Sequence, residues 1–201
     1  MIEYPIILAS TSLRRKELLQ QIGVKFEIVP SQASEDIEKE LSPREAVRVL
    51  AQRKADAIAS VRPEALVIAA DTVISLDDEI LGKPGSYQRA KEMLARLSGR
   101  THQVVSGVAM VCLLRNIHDI FDVTTDVTFG VLNNDLIEKY VKTGEPLDKA
   151  GAYAIQGGGS ILVQSIKGSY CNVVGFPIFE IAEALSRYTK GYQYLWEVRK
   201  P

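Results

Sequence analysis

Residues 65–72 read Ala-Leu-Val-Ile-Ala-Ala-Asp-Thr, an apolar run followed directly by a carboxylate and a hydroxyl. A continuous apolar run of this length is typical of a β-strand that is buried on both faces. The pattern predicts that the strand ends at Asp71, at the carboxyl edge of the sheet, where open α/β sheets bind their ligands. Asp71 is therefore either a functional carboxylate or an acidic residue that caps a turn.

Helices and strands alternate on both sides of this stretch. The clearest helix signal is Ser42-Pro43-Arg44-Glu45, a capping box with proline at the first helical position. Asp77-Asp78 is typical of a hairpin turn, and the alternation within 117–129 predicts one packed face and one wet face that includes Asp122. The order favours a mixed sheet in an α/β or α+β fold. Predicted strands are 6–9, 25–29, 65–70, 102–114, 117–129 and 161–166, and predicted helices are about 14–22, 43–60, 87–97, 135–142 and 178–188.

The composition is that of a folded globular protein. Of 201 residues, 46% are hydrophobic and 24% are charged, which excludes the disordered and low-complexity classes. A chain of this length forms one domain or two closely joined lobes. The net charge of −1 argues against a protein that holds long nucleic acid by bulk charge, but a nucleotide needs only a local cluster of cations.

The sequence also bears on location. No apolar run approaches the ~20 residues of a membrane helix, and the N-terminal segment has an acidic rather than a basic start, unlike a secretory signal. Two cysteines without a Cys-x-x-Cys pair indicate neither a disulfide framework nor a zinc site. These features predict a cytoplasmic protein without a membrane partner.

The segment from Ser10 to Arg15 lies between a predicted strand and the first turn of a predicted helix. Hydroxyls, backbone N–H groups and the helix dipole converge there on a spot of anion size. Arg14 and Arg15 oppose the helix dipole, a placement that makes sense where they face a bound anion. The segment is therefore either a phosphate site or a Ser12 cap followed by solvated arginines.

Lys54 falls on the apolar stripe of the helix that begins after Ser42. It follows Leu50 by four residues and precedes Ile58 by four, so the three side chains share one face. A lysine in this position either extends its ammonium to solvent or points into a polar site.

Two loops and two histidines complete the candidates. The run from Gly144 to Gly157 packs acidic, basic, amide and glycine residues densely, which is typical of a functional loop or of a turn-rich connection. Gly82-Lys83-Pro84 is not a Walker loop, because proline stands where Ser or Thr must hold magnesium. His102 and His118 lack metal-ligand spacing, which favours structural roles.

Taken together, these segments resemble the Maf family of nucleoside triphosphate pyrophosphatases. Each piece alone is weak, but nine pieces in the family's order, from about Ile6 to Pro177, make the resemblance specific. They are LASTSLRRKELL, the loop around Glu35, QRKA, AADTV, LGKP, LSGRTHQVVSG, TDVTF, GEPLDKAGAYAIQG and GSYCNVVGFP.

The resemblance implies a single catalytic domain over residues 1–201, with an α/β fold. In that fold an elongated mixed sheet and flanking helices form two lobes around a cleft. It also implies hydrolysis of a nucleoside triphosphate between the α- and β-phosphates, with Mg²⁺ or Mn²⁺ bound by Glu35 and Asp71. Positively charged groups suit a transition state that spreads negative charge over phosphoryl oxygens. The implied catalytic residues are Asp71 as general base, Glu35, Lys54 and Lys83, and the implied phosphate-binding residues are Ser10, Ser12, Arg14, Arg15 and Lys149.

One branch of the family acts on dTTP and UTP, and this sequence resembles it in carrying Arg14, Thr72 and Gln156. These residues are the implied determinants of base specificity. The branch that acts on 7-methyl-GTP has a tryptophan in place of the first arginine and an acidic residue in place of the glutamine. The chain departs from the family at Leu13, where proline is common, and this change removes no functional group.

Two other functions are open at this point. The family name derives from septum formation, so one alternative is a nucleotide-sensing or nucleic-acid-binding regulator with vestigial hydrolysis. The other is an inosine or xanthosine triphosphate pyrophosphatase. The intact set of acidic and basic residues argues against vestigial chemistry. The expected partners are a nucleoside triphosphate and, given the apolar strand content, a second copy of the chain in a homodimer, with no nucleic acid polymer.

Overall fold

The computed structural model describes residues 4–36, 40–189, 191–192 and 195. Every predicted helix and strand is present in this part of the chain, and the short strand Glu79–Leu81 and the short helix Tyr170–Val174 are further elements that were not among those predicted. The strands are β1 (Ile6–Leu8), β2 (Glu27–Ile28), β3 (Leu66–Leu76), β4 (Glu79–Leu81), β5 (Thr101–Cys112), β6 (Ile117–Phe129) and β7 (Val163–Lys167). The helices are α1 (Leu13–Gln21), α2 (Pro43–Ala59), α3 (Tyr87–Leu97), α4 (Asn134–Lys142), α5 (Tyr170–Val174) and α6 (Ile178–Tyr188). Among the described residues, none of these helices has the length and apolar character needed to cross a membrane.

The strands form one mixed sheet in the order β2-β1-β3-β5-β6-β7, with β4 paired to β3. β1 runs parallel to both β2 and β3. β4 runs antiparallel to β3, and β7 runs antiparallel to β6. Since helices alternate with these strands, the predicted α/β class with a mixed sheet is confirmed. The elongated shape and the two lobes around a cleft stay predictions.

The predicted end of β3 at Asp71 is wrong. The strand continues through Asp71 and Thr72 to Leu76, and those two residues are half-buried between fully buried stretches. The strand extends because the apolar run resumes at Val73 and the chain then turns back through Asp77-Asp78 into β4. Both aspartates have positive φ, of 52° and 63°, as a two-residue hairpin requires. Asp71 therefore projects from the middle of a strand and not from its end.

The prediction that Asp122 lies on a solvent-exposed face of its strand is also wrong. Its side chain is only 4% exposed, because two arginines of α2 cover it. Arg44 Nε lies 2.6 Å from one carboxylate oxygen, and Arg48 lies 3.5 Å from the other. The alternation of polar and apolar residues on β6 could not show that a neighbouring helix supplies cations to the polar face.

The chain divides into two compact units. The first comprises Met1–Asp71, Ser106–Asp122 and Gly175–Pro201, and the second comprises Thr72–Val105 and Val123–Val174. One core cluster of the first unit consists largely of small residues, including Ala51, Ala55 and Ala59 of α2, and larger side chains such as Phe176 are also fully buried in this unit. The core of the second unit uses larger side chains, such as Leu94, Leu97 and Phe129. The single catalytic domain over the whole chain stays a prediction.

Gly107 of β5 allows α2 to lie directly on the sheet of the first unit. A Cβ atom at this position would stand 2.2 Å from the backbone oxygen of Val47 and 2.8 Å from the nitrogen of Arg48. Because the obstacle is backbone, it can relieve the overlap only if the whole helix moves, and the same helix carries Lys54. We expect Gly107→Ala to lower the free energy of unfolding by about 1–3 kcal/mol.

Urea denaturation of the full chain measures this effect. Gly130→Ala is the matched control, since a Cβ atom there meets nothing within 4 Å. An equal loss in both variants would show that α2 does not press on β5 as described.

Candidate active site

Lys54 points into a polar site rather than out to solvent. It lies on the buried face of α2, and the residue is only 9% exposed. Its Nζ lies 2.7 Å from Glu35 Oε1 and 2.6 Å from Asp71 Oδ1. The other alternative given by the sequence, a lysine that extends its ammonium to solvent, is therefore wrong.

The two carboxylates reach this ammonium from different parts of the first unit. Asp71 projects from β3 with a side chain that is 15% exposed, whereas Glu35 comes from the loop after β2 and is 68% exposed. One positive and two negative charges thus meet at a point that is covered on the Asp71 side and open on the Glu35 side. Such a triad carries a net negative charge and offers several carboxylate lone pairs at its exposed edge.

The carboxylate oxygens of Glu35 and Asp71 are suitable ligands for Mg²⁺ or Mn²⁺. Carboxylate oxygens are the hard ligands that these ions prefer, and Mg²⁺ is commonly bound by one or two carboxylates together with substrate phosphates. Within the described ranges, no group of three or more His, Cys, Asp or Glu residues could hold a metal ion. Glu35 and Asp71 supply two carboxylates, the number with which proteins commonly bind Mg²⁺ together with substrate phosphates.

The turn before α1 is ordered by its own hydroxyls. Ser10 Oγ accepts a hydrogen bond from the Ser12 backbone N–H at 3.1 Å. Ser12 is the N-cap of α1, and its Oγ accepts from the Arg15 N–H at 3.5 Å. Ser12 therefore caps α1, as one of the two interpretations of the sequence predicted. This capping is compatible with anion binding, because each hydroxyl that accepts a bond also carries a donor.

Arg15 is tied to backbone on two sides. Its Nε donates to the Gly175 carbonyl at 3.0 Å, and an Nη atom donates to the Ala70 carbonyl at 2.7 Å. Burial is the main cause that lowers the pKa of Arg15, with the Asp71 carboxylate acting in the opposite direction and Arg14 in the same direction. Arg15 therefore holds the strand residue that precedes Asp71, a contact the sequence analysis did not foresee. The phosphate contact of Arg15 stays a prediction.

In the second unit, two loops that carry candidate lysines are joined through backbone hydrogen bonds. The Gly85 N–H donates to the Leu147 carbonyl at 3.3 Å, and the Gly151 N–H donates to the Gly82 carbonyl at 3.1 Å. Lys149 forms an ion pair with Asp148. The pKa of Asp148 is lowered, mainly by its hydrogen bond with Lys149 and in smaller part by the charge of Lys83. The structure thus places Lys149 in contact with Asp148 and joins its loop to the loop that carries Lys83.

Two of the three residues predicted to read the base, Thr72 and Gln156, also lie in the second unit, whereas Arg14 lies on α1 in the first. Thr72 is half-buried on β3, and Gln156 is exposed in the loop that precedes the glycines 157–159. His102 is buried and shares a 2.8 Å hydrogen bond with the Tyr153 hydroxyl. Burial lowers the pKa of His102 to about 4, which fits the structural role predicted for it.

Most of the chain also matches the sequence pattern of a known protein family. The family described as Maf-like protein matches residues 5–188. The chain belongs to the Maf family.

Curated relatives of this Maf protein match it over nearly their full length. A protein of Desulforamulus reducens named dTTP/UTP pyrophosphatase is 46% identical over 90% of this chain and 95% of its own. A protein of Moorella thermoacetica with the same name is 49% identical over 90% of this chain and 93% of its own. Among solved structures, the Staphylococcus aureus Ham1 protein matches 62% of this chain and 71% of its own, with a TM-score of 0.44 and 18% identity.

Sequence reasoning missed the residues of this Maf protein that support the site through backbone contacts. The carbonyls of Ala70 and Gly175 hold Arg15, and neither position carries a sequence signal of that role. Glu145 lies in the run 144–157 that the sequence marked as a candidate loop, but neither Glu145 nor Tyr140 was predicted to contact the backbone around Gln156. The one available signal was the run of glycines 157–159, which indicates a close approach of backbone to another group.

Proposed function

We propose that this protein hydrolyses dTTP and UTP, and modified pyrimidine nucleoside triphosphates, to the monophosphate and pyrophosphate. The observation that carries the proposal is the pair of carboxylates, Glu35 and Asp71, held on the buried ammonium of Lys54. Membership of the Maf family and the names of the curated relatives support the same reaction. A buried lysine that binds two acidic side chains is an arrangement for chemistry on a charged group more than for stability.

In the proposed reaction, water attacks the α-phosphorus. The oxygen of water forms a bond to that phosphorus, the bond to the oxygen bridging to the β-phosphorus breaks, and pyrophosphate leaves with the bonding electrons. Asp71 accepts the proton of the attacking water, and Lys54 holds the Asp71 carboxylate in place for this step.

Glu35 and Asp71 are also the residues proposed to hold the divalent ion. Bound Mg²⁺ or Mn²⁺ would neutralise phosphate charge and lower the pKa of a coordinated water. The charge that develops on the phosphoryl oxygens is proposed to be met by Arg14 and Arg15, by the hydroxyls of Ser10 and Ser12, and by Lys83 and Lys149.

The pyrimidine ring is proposed to be read by Gln156, with Thr72 and Arg14 as further determinants. Uracil and thymine present an N3–H donor between two carbonyl acceptors, and one glutamine amide offers a matching acceptor and donor. Cytosine presents an N3 acceptor and an amino donor, so it requires the amide in the opposite orientation. We therefore expect kcat/KM for UTP and dTTP to lie well above that for CTP.

Gln156→Glu is expected to reduce kcat/KM for UTP by at least about tenfold, because the carboxylate keeps an acceptor for N3–H but repels the O4 carbonyl. Steady-state release of pyrophosphate from UTP and from CTP measures the effect. Gln164→Glu, the same change at an exposed position of β7, is the matched control. Equal losses for UTP and CTP would show that Gln156 does not read the base.

The function itself is tested by assaying pyrophosphate release from a panel of UTP, dTTP, CTP, GTP, inosine triphosphate and xanthosine triphosphate. The proposal predicts the highest kcat/KM for UTP and dTTP. Preference for inosine or xanthosine triphosphate would indicate a purine enzyme. Absence of turnover with every nucleotide would indicate a regulator that no longer hydrolyses.

The proposed enzyme acts in the cytoplasm as a homodimer, without a nucleic acid polymer as partner. The near-neutral charge of −1 supports the last point, because polymer binding relies on an excess of cations. Analytical ultracentrifugation measures the oligomeric state, and a single monomeric species at micromolar concentration would contradict the homodimer.

A further inference from the structure

The loop that carries Gln156 is a tight turn of the second unit. The Gly157 N–H donates to the Ala154 carbonyl at 3.2 Å, so Gln156 occupies the turn between them. The Gln156 side chain is exposed, and the backbone of this turn sets the point and the direction in which it leaves the main chain. The groups that hold the backbone on each side of this turn therefore limit the directions in which the Gln156 amide can point.

The carboxylate of Glu145 fixes the side that follows Gln156. Glu145 Oε2 accepts from the Gly158 N–H at 2.9 Å, and Oε1 accepts from the Gly159 N–H at 3.2 Å. Oε1 also accepts from the Tyr140 hydroxyl at 2.7 Å. Hydrogen bonds to a charged acceptor are about twice as strong as neutral ones, so this carboxylate is a firm attachment point for the glycine segment.

The hydroxyl of Tyr140 fixes the side that precedes Gln156. Tyr140 lies on α4 and is only 4% exposed. While its hydroxyl donates to Glu145, the same oxygen accepts from the Ala154 N–H at 3.1 Å. One phenol–carboxylate pair therefore binds the backbone at 154, 158 and 159, on both sides of Gln156. We call this pair, Tyr140 with Glu145, the loop clamp.

The glycines beside Gln156 leave the space that the loop clamp needs. A Cβ atom on Gly157 would stand 2.3 Å from Glu145 Oε2. A Cβ atom on Gly159 would stand 2.6 Å from the Tyr140 hydroxyl oxygen and 2.7 Å from the Ala154 carbonyl oxygen. The glycines at 157 and 159 are thus explained by the close approach of this backbone to the buried Tyr140 and the half-buried Glu145.

The protonation states of the loop clamp suit its hydrogen bonds. Burial acts to raise the pKa of Glu145, but the bonds from Tyr140, Gly158 and Gly159 outweigh it, and the pKa is lowered. Burial and the neighbouring carboxylate raise the pKa of Tyr140 above its ordinary value. At neutral pH Glu145 is therefore an acceptor only, and Tyr140 keeps the proton that it donates.

We propose that Tyr140 and Glu145 are positioning residues that hold the Gln156 amide in the orientation that pairs with uracil and thymine and rejects cytosine. This inference rests on the proposed function. The chemical step uses carboxylates of the first unit, so loosening the turn should change which base is accepted more than how fast bound UTP reacts. A turn freed from its attachments presents the amide in more than one orientation, and cytosine then finds the one that it needs.

Tyr140→Phe tests the proposal, since it removes one hydroxyl and keeps the ring. We expect the ratio of kcat/KM for UTP to that for CTP to fall by about fivefold or more, the effect of losing one buried hydrogen-bonding group. The change should appear mainly in KM for UTP, with kcat nearly unchanged. Glu145→Gln is a second variant with the same expected direction, because an amide nitrogen cannot accept from a backbone N–H.

Tyr153→Phe is the matched control. It also removes a buried tyrosine hydroxyl of the second unit, but that hydroxyl bonds His102 and not the turn. We expect this variant to leave the UTP-to-CTP ratio unchanged. A double-mutant cycle adds the decisive comparison: in a Gln156→Ala background, Tyr140→Phe should not change the ratio further, because the clamp acts through Gln156.

Three results would overturn the inference while leaving the proposed function standing. They are an unchanged UTP-to-CTP ratio in both clamp variants, an equal shift in Tyr153→Phe, and an undiminished shift in the Gln156→Ala background. If the unmodified protein releases no pyrophosphate from any pyrimidine triphosphate, the proposed function fails instead, and this inference fails with it.

Discussion

Asp71→Asn is expected to abolish pyrophosphate release from UTP while leaving the fold intact. The change removes the proton acceptor, whose loss alone costs about 10²–10⁴ in rate, and it also removes a negative metal ligand. The fold should survive, because the asparagine oxygen still accepts from Lys54 Nζ at the position of Asp71 Oδ1. Steady-state kinetics and thermal unfolding of the same preparation measure the two effects.

Asp78→Asn is the matched control for this variant. It makes the same chemical change in the β3–β4 hairpin at an exposed residue, and asparagine tolerates the positive φ of that position. Its kcat should equal that of the unmodified protein. If Asp71→Asn retained more than about a tenth of the unmodified kcat, Asp71 would not be the general base.

Lys54→Met is expected to lower both the rate of hydrolysis and the stability. The ammonium neutralises two carboxylates, and its removal leaves Asp71 largely covered without a cation. Breaking a buried ion pair costs about 3–5 kcal/mol, but Glu35 is well exposed, so we expect a smaller loss, about 1–3 kcal/mol. Turnover should fall at least about a hundredfold, since the catalytic carboxylate loses its position.

A double variant separates the two effects of Lys54. Lys54→Met combined with Asp71→Asn removes both charges, so it should recover stability relative to Lys54→Met alone without recovering activity. Lys91→Met is the control, because it breaks a single solvent-exposed ion pair with Glu138 and should change little. Normal kinetics in Lys54→Met would contradict a role for this lysine in the site.

The structure reverses one expectation about Lys54. From the sequence alone, Lys54 would be held toward a cluster of cations, so Lys54→Ala would be expected to leave thermal stability unchanged or raised when no anion is bound. Because Lys54 Nζ is bound by the carboxylates of Glu35 and Asp71, its removal is now expected to lower the stability. The helical stripe could show that Lys54 is buried, but the partners lie 19 and 17 residues away in sequence, beyond the reach of any local pattern.

Local signals predicted most of the fold. The capping box at Ser42 and Glu45 is present in full, and it fixes the start of α2. The turn at Asp77-Asp78 and the bounds of α3, α6 and β6 also agree with the sequence patterns, because capping and turn chemistry act over a few residues. These elements were predictable because their causes are local.

The features that sequence could not predict depend on tertiary contacts. β3 passes beyond Asp71 because Asp71 and Thr72 sit half-buried between apolar stretches that both belong to the core. Glu145 gave no sign that it binds the backbone at Gly158, because the two residues meet only once α4 and the following loops have packed. Glu35, Lys54 and Asp71 were named from the sequence as candidate site residues, but the two ion pairs that join them were not predictable from it.

Hydrolysis of UTP in water labelled with heavy oxygen tests the central claim most directly, with the products separated and weighed by mass spectrometry. Attack of water on the α-phosphorus predicts one labelled oxygen in UMP and none in pyrophosphate. With Asp71→Asn we expect no labelled product, because this variant should not turn over. Label in pyrophosphate would show attack on the β-phosphorus instead. Formation of UDP and inorganic phosphate would contradict a pyrophosphatase altogether.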